Sequence, residues 1–187
     1  EENVQLRWTN LAPTQNAYMF ELEIYSNVEI TAKQVTLATK VSPEEAGSVS
    51  VSPSSSQYDE GTEVTLTAKK NFGYKFVKWT DATGNTLSAE ASYKQTLNED
   101  MIITAVFEPV ATYSLTTSTE GGANNYMVTA TPDATVVNGK NMYEEGTLVT
   151  LTATENRILT FLNWKSGEMG YELPVRMDSD KEFVAVY

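Results

Sequence analysis

"YDEGTEVTLTAKKNFGYKFVKW" runs from Tyr58 to Trp79, and "YEEGTLVTLTATENRILTFLNW" runs from Tyr143 to Trp164. Each stretch is 22 residues long, the two align without a gap, and they agree at 12 positions. Self-similarity on this scale must be recognised before any motif is read, because it means that one supersecondary unit has been written more than once.

The repeat extends beyond the quoted block. "LNEDMIITAVF" (Leu97–Phe107) corresponds to "MDSDKEFVAVY" (Met177–Tyr187). Upstream, "VTLATKV" (Val35–Val41) resembles "TYSLTTS" (Thr112–Ser118), and "SVSVSP" (Ser48–Pro53) resembles "MVTATP" (Met127–Pro132). The offset is 85 residues across the block and 80 at the ends, which implies a five-residue deletion after Trp164. A longer loop, "DATVVNGKN", separates Pro132 from Met142. The expected organisation is therefore one module over 35–109, a second over 110–187, and a partial N-terminal copy over 1–34. In that partial copy "LRWT" (Leu6–Thr9) resembles "VKWT" and "YSNVEITA" (Tyr25–Ala32) resembles "NEDMIITA". Only the second half of a module is represented there, as when an array is entered part-way. The short linker at Glu108-Pro109-Val110 restricts the chain, so a semi-rigid tandem is expected.

Within a module the apolar runs are short, β-branched and bounded by turn residues, the pattern of strands. Strands are predicted near 35–41, 48–52, 62–68, 74–79, 92–97 and 101–107. Their counterparts are 112–118, 126–131, 147–153, 159–164, 172–177 and 181–187. Alternation places Val64, Leu66 and Ala68 on one face, repeated by Val149, Leu151 and Ala153. Ile103, Ala105 and Phe107 match Phe183, Ala185 and Tyr187, with Ile30 and Ala32 as the partial equivalents, so these should face a core. "YKFVKW" does not alternate, because Phe76 and Trp79 lie three apart and both recur. Either that strand is buried on both faces or a bulge re-aims a side chain. The Gly of "EGT" (Glu60–Thr62, Glu145–Thr147) suits a turn needing positive φ. "LSAEASY" (Leu87–Tyr93) is the one helix candidate, and the second copy loses most of it.

Composition excludes several functions. The net charge is −12, from 25 acidic and 13 basic residues, which opposes binding to nucleic acid or to an anionic membrane surface. There is no Cys and no His, so disulfides, thiolate ligands, imidazole ligands and the commonest general base are missing. No apolar run reaches the ~18 residues of a membrane-spanning helix, and no leader peptide is recognisable. Neither a cofactor nor a metal is expected.

A Gly-x-Val strand and a Pro, then Tyr-x-x-Gly-Thr-x-Val-x-Leu-x-Ala, a turn, Tyr-x-Phe-x-x-Trp and Asn-x-Asp-x-x-Ile-x-Ala-x-Phe form a recognisable pattern. Here it comprises Gly47, Val49, Pro53, Tyr58, Gly61, Thr62, Val64, Leu66, Ala68, Tyr74, Phe76, Trp79, Asn98, Asp100, Ile103, Ala105 and Phe107. The pattern resembles the divergent internalin B-type repeat, closely over residues 35–187 and loosely before. The second copy departs from it where Ile158-Leu159 replaces Gly73-Tyr74. The resemblance implies mainly-β tandem modules of a small β-sandwich type, with a helix-bearing β-grasp as the alternative. It also implies secreted or cell-surface bacterial proteins, repeats beside polysaccharide-degrading domains such as pectate lyases, adjoining domains of a longer polypeptide as partners, and no catalytic residues.

The candidate sites follow. Trp79 and Trp164 end buried strands, which favours a core role over stacking on sugars. For a carbohydrate-binding alternative the better candidates are Tyr58, Tyr143, Tyr93, Tyr126 and Tyr171, which lie near turns and loops. The acidic turns Asp59-Glu60, Glu144-Glu145 and Asp178-Ser179-Asp180 offer oxygens but lack the spacing of a calcium loop, and no carboxylate pair is tied to a cleft. The leading reading is a non-catalytic spacer or display region, ahead of polysaccharide binding and of a protein-binding adhesin repeat.

Overall fold

The computed structural model describes residues 4–10, 20–26, 32–121 and 127–187, and contacts divide the chain into two units, Glu1–Gln34 and Val35–Tyr187. In the first unit β1 (Val4–Asn10) pairs antiparallel with β2 (Phe20–Ser26), Trp8 opposite Leu22. The inward orientation expected for Ile30 lies outside the described residues. Ala32 does not follow its expectation, for it is exposed and lies outside any strand. A chain that has left the ladder has no alternation to turn a side chain inward.

The first copy opens with β3 (Gln34–Val35), at the boundary between the units, and β4 (Leu37–Ser42), then a 3-10 turn at Glu44–Ala46. It continues through β5 (Gly47–Ser52), β6 (Tyr58–Asp59), β7 (Thr62–Lys70), β8 (Tyr74–Thr80), β9 (Thr86–Ser88), β10 (Ser92–Leu97) and β11 (Met101–Pro109). One sheet has the order β10-β7-β5 and the facing one β4-β11-β8-β9, while β3 and β6 form a two-stranded third. Within the two larger sheets all pairs are antiparallel except β4 with β11. Inward residues of the two larger sheets, with Val35 of β3 and Tyr58 of β6, form one cluster that also contains Val64, Leu66, Trp79, Leu97, Ile103, Ala105 and Phe107. This is a small β-sandwich. No α-helix is present among the described residues, and "LSAEASY" is β9 followed by a bend into β10, so the β-grasp alternative does not hold.

The second copy repeats the plan with β12 (Thr112–Glu120), β13 (Val128–Thr131), β14 (Thr135–Val137), β15 (Lys140–Glu144), β16 (Leu148–Ala153), β17 (Asn163–Trp164), β18 (Glu172–Arg176) and β19 (Lys181–Val186). Its sheets run β13-β16-β18 and β14-β15-β12-β19-β17, with β12 parallel to β19. Its core gathers Leu115, Tyr143, Val149, Leu151, Phe161, Trp164, Val175, Met177 and Ala185.

Three differences from the expectations have physical causes. First, the "DATVVNGKN" loop is a hairpin, β14 paired with β15, with Val137 opposite Lys140. Asn138 (φ 50°) and Gly139 (φ 77°) form its two-residue loop. Asn-Gly is the strongest short-range hairpin signal because both central residues need positive φ. Second, "VTLATKV" and "TYSLTTS" align one residue off. The parallel ladders set Leu37 opposite Met101 and Leu115 opposite Lys181, so Leu37 corresponds to Leu115, and a one-residue slip would reverse every side chain. Third, the strand expected over 159–164 shrinks to Asn163–Trp164. Gly73 turns the first copy at φ 81°, whereas Ile158 stands at that position. There the Asn156 carboxamide oxygen accepts from the Ile158 and Leu159 amides, each at 2.8 Å.

The irregular "YKFVKW" is a bulge. The β8–β11 register runs Trp79 to Ala105 and Lys78 to Val106, then Phe76 to Phe107, skipping Val77. The extra residue turns both Phe76 and Trp79 inward, with ring centroids 5.4 Å apart. Trp79 and Trp164 are fully buried, and each indole N–H donates to a loop carbonyl, of Glu90 at 2.9 Å and of Gly170 at 2.8 Å.

Because each tryptophan belongs to a different core, Trp164→Ala should cost about 3–5 kcal/mol in the second copy and leave the first nearly intact. Denaturant unfolding followed by the remaining Trp fluorescence and by circular dichroism should then show two separated transitions. A single transition shifted as a whole would mean that the cores unfold as one.

Candidate functional site

The five tyrosines do not come together as one site. Tyr58 and Tyr143 are buried. Their hydroxyls donate to the carbonyls of Pro53 (3.0 Å) and Pro132 (3.1 Å), tying the β6 and β15 strands to the chain that leaves β5 and β13. Burial, followed by the nearby Asp133 charge, holds the Tyr143 hydroxyl above its ordinary pKa. Neither ring offers a face to a sugar, so these two are core residues. Tyr93 is half-buried on β10, donating to Gln95 Oε1 at 2.5 Å. Tyr126 lies outside the described residues. Tyr171 alone of the four described is exposed, at 49%. Its ring lies 5.4 Å from Phe161, which itself touches Trp164 and Tyr187. Its hydroxyl donates to Glu155 Oε1 at 2.9 Å, and that bond, then desolvation, raises its pKa.

The acidic turns have structural partners. Asp180 Oδ1 accepts from the Ser114 amide at 2.7 Å, and Asp100 Oδ1 accepts from the Thr36 amide at 2.7 Å and the Thr36 hydroxyl at 2.9 Å. Each of these carboxylates closes the point where the incoming strand begins its parallel pairing. The Ser114 amide, then its hydroxyl, holds Asp180 below the usual carboxylate range. Asp178 pairs with Lys181 at 2.8 Å. Among the described residues no group of three acidic side chains is placed to hold a metal ion. The deepest pKa shift belongs to Asp81, lowered to about 2 by the Thr83 hydroxyl and the Asn85 side chain and by both backbone amides. These bonds shape the β8–β9 loop, where Asp81 itself is half-buried, and the second copy's shorter loop lacks it.

The residues that do converge from distant parts of the sequence lie where the copies meet. Glu144 ends β15 and extends to the β7–β8 turn of the first copy. Its carboxylate accepts from Lys70 Nζ at 2.5 and 2.6 Å and from the Gly73 amide at 3.0 Å. The Gly73 carbonyl in turn accepts from the Val110 amide at 2.8 Å. A side chain at Gly73 would point at the Thr112 methyl, 3.6 Å from the first added carbon, besides having to adopt φ 81°. Phe72, at the same turn, lines a hollow of about 250 Å³ with Pro132, Asp133, Met142 and Tyr143 of the second copy. Partial burial works against the Glu144 charge, but the Lys70 ammonium and the Gly73 N–H outweigh it and hold the carboxyl below its ordinary range.

From the sequence alone Glu144 belongs to a generic acidic turn, and Lys70 and Gly73 have no part in a joint. A signal was present. Within the matched block, Lys70, Phe72 and Gly73 align with Glu155, Arg157 and Ile158, and this divergence falls at the turn where the first copy meets the second.

The model of the divergent InlB B-repeat domain matches residues 37–111 and 126–187, together more than half of the chain. No curated protein matches it.

Glu144→Gln should weaken the joint without unfolding either core. Lys70 is about half exposed and Glu144 about one-fifth exposed, so the loss should be about 1 kcal/mol, nearer a surface pair than a buried one. The carboxyl's pKa is depressed in the folded state, so its stabilisation is present above the unfolded-state value and is lost as pH falls through the folded value. Protection of the Gly73 and Val110 amides, taken against the intrinsic exchange rate at each pH, should therefore fall below that range in the native chain and already be lower than native at neutral pH in the variant. Identical exchange in the two proteins at neutral pH would count against the clamp.

Proposed function

The chain belongs to the divergent InlB B-repeat domain family, and from that premise we propose that it is a non-catalytic spacer or display segment of a larger secreted or cell-surface bacterial protein. The observation that supports this most is the joint. Two sandwiches, each with its own core, are tied together by Glu144, Lys70, Gly73 and the short Pro109-Val110 connection. A semi-rigid tandem keeps its ends apart, whereas a flexible linker of the same length would collapse toward a coil. Such a segment suits a polypeptide whose other domains act on polysaccharide, including pectate lyase-like enzymes, and need a set distance from the cell or their substrate. Adjoining domains are then its partners. No helix among the described residues is long and apolar enough to cross a membrane.

Because the chain has no Cys, spin labels are easily placed. Labels at Ser54→Cys and Ser179→Cys, one on each copy, should give a narrow distance distribution that broadens in the Glu144→Gln variant. A broad distribution in the parent would sink the rigid-spacer reading.

One observation favours a second reading, polysaccharide binding. Tyr171 is exposed yet braced by Phe161 and Glu155, a preorganised aromatic surface of the kind that stacks on a sugar face. A spacer should retain no glycan on a polysaccharide panel. Retention that is abolished by Tyr171→Ala, with the unfolding curve unchanged, would establish binding instead.

A further inference from the structure

The hairpin present only in the second copy carries the chain's single Asn-Gly pair. Asn138 and Gly139 are both exposed, and nothing lies within 4 Å of where a Gly139 side chain would begin. Val137 and Lys140 close the loop between them, and in a two-residue loop of this type the ladder does not use the second loop residue's amide. The Gly139 nitrogen therefore follows the Asn138 carboxamide in an exposed turn, with no side chain on its own residue to shield it. Every other Asn in the chain is followed by a residue with a side chain, which crowds the attacking nitrogen.

We propose that Asn138 is a site of spontaneous covalent modification, deamidation through a cyclic imide, with water as the only co-reactant. The Gly139 amide nitrogen loses its proton and attacks Cγ of Asn138. The new C–N bond closes a five-membered ring, and the side-chain nitrogen leaves as ammonia. Water then adds to one of the two ring carbonyls. Opening on one side yields an aspartate at position 138, and on the other an isoaspartate, whose main chain runs through the former side-chain carbon. Nothing is oxidised or reduced; overall the amide and water give a carboxylate and ammonium.

The two products differ in consequence. The aspartate keeps a pair that suits the same turn and adds one negative charge beside Lys140. The isoaspartate lengthens the backbone at the tip and cannot retain the two-residue loop. The hairpin's second strand, β15, ends at Glu144, so loosening from the tip runs toward the residue that clamps the two copies.

The experiment ages the whole folded chain at mildly alkaline pH in heavy-oxygen water, then combines isoelectric focusing, peptide mapping and an isoaspartate methyltransferase assay. The expected result is a species one negative charge more acidic, with oxygen label and methyl acceptance confined to the peptide containing Asn138. Its formation should quicken as pH rises, slow markedly in Gly139→Ala, and vanish in Asn138→Gly, which keeps a turn able to adopt positive φ. In the aged fraction the β14 amides should lose exchange protection, whereas in an Asn138→Asp variant they should keep it. Gly139→Ala also strains the turn, so Asn138→Gly with unchanged thermal unfolding is the deciding control. The proposal is overturned if the folded chain stays unlabelled at Asn138 while the urea-unfolded chain converts there, or if the acidic species maps to another residue.

Discussion

A fully buried tryptophan whose indole N–H reaches a loop carbonyl organises each half of this molecule. Trp79 and Trp164 fill the space between the two sheets of their sandwiches. They donate to Glu90 and to Gly170, each two residues before a strand of the opposite sheet. One side chain thus contributes apolar area to the core, and its single polar atom fixes the chain that carries the opposite edge strand. A Phe would fill much of the volume but leave that carbonyl without its donor. Next to it the Ala68 and Ala153 amides donate to Ala91 and Tyr171 carbonyls at 2.9 and 2.8 Å, so the same bend is held from both sides in both copies.

Polar groups reinforce this scaffold. Tyr58 and Tyr143 hold their strands to proline carbonyls, and Asp100 and Asp180 hold the entry into the parallel ladder. The buried side-chain polar atoms among the described residues are all hydrogen-bonded. Small cores tolerate few unsatisfied groups, since each costs about 1–3 kcal/mol against a total stability of only ~5–15 kcal/mol. That explains why polar residues recur between the copies as faithfully as apolar ones. Tyr, Thr, Gly and Asp recur because each answers a specific backbone donor, acceptor or φ angle.

The copies part company where they serve different neighbours. In the first, Gly73 lets the β7–β8 turn close tightly and present its amide to Glu144. In the second, Ile158 removes that option, the strand before Trp164 is lost, and Glu155 and Asn156 rebuild the segment with side-chain caps. The turn that meets Glu144 in one copy becomes, in the other, a loop that leaves Ile158 and Leu162 exposed. The fold makes the same demands on both copies, but the joint makes demands only on one turn of the first and one strand end of the second.

The mainly-β tandem architecture was legible in the sequence because strand periodicity and turn chemistry are local, and because writing a unit twice separates the residues that the fold needs from those it does not. Val64, Leu66, Ile103, Ala105, Trp79 and Trp164 were identifiable as core on those grounds, and the Phe76–Trp79 spacing left two-sided burial and a bulge as alternatives, between which the register decides for the bulge. The Asn138-Gly139 pair carries a hairpin signal in the sequence as well, inside the stretch that repeat alignment alone gives only as a loop. Three things were decided only by the tertiary structure. Whether Tyr58 and Tyr143 face solvent or core depends on a proline carbonyl five and eleven residues away. The register of β4 and β12 depends on a parallel partner at the far end of the module, beyond the reach of local pairing signals. The meeting of Lys70 and Gly73 with Glu144 spans more than 70 residues, and no local propensity encodes which of many surface charges another module will cover. Local chemistry specifies strands and turns, while the identity of a residue's distant neighbour is settled only when the sheets close and the two sandwiches dock.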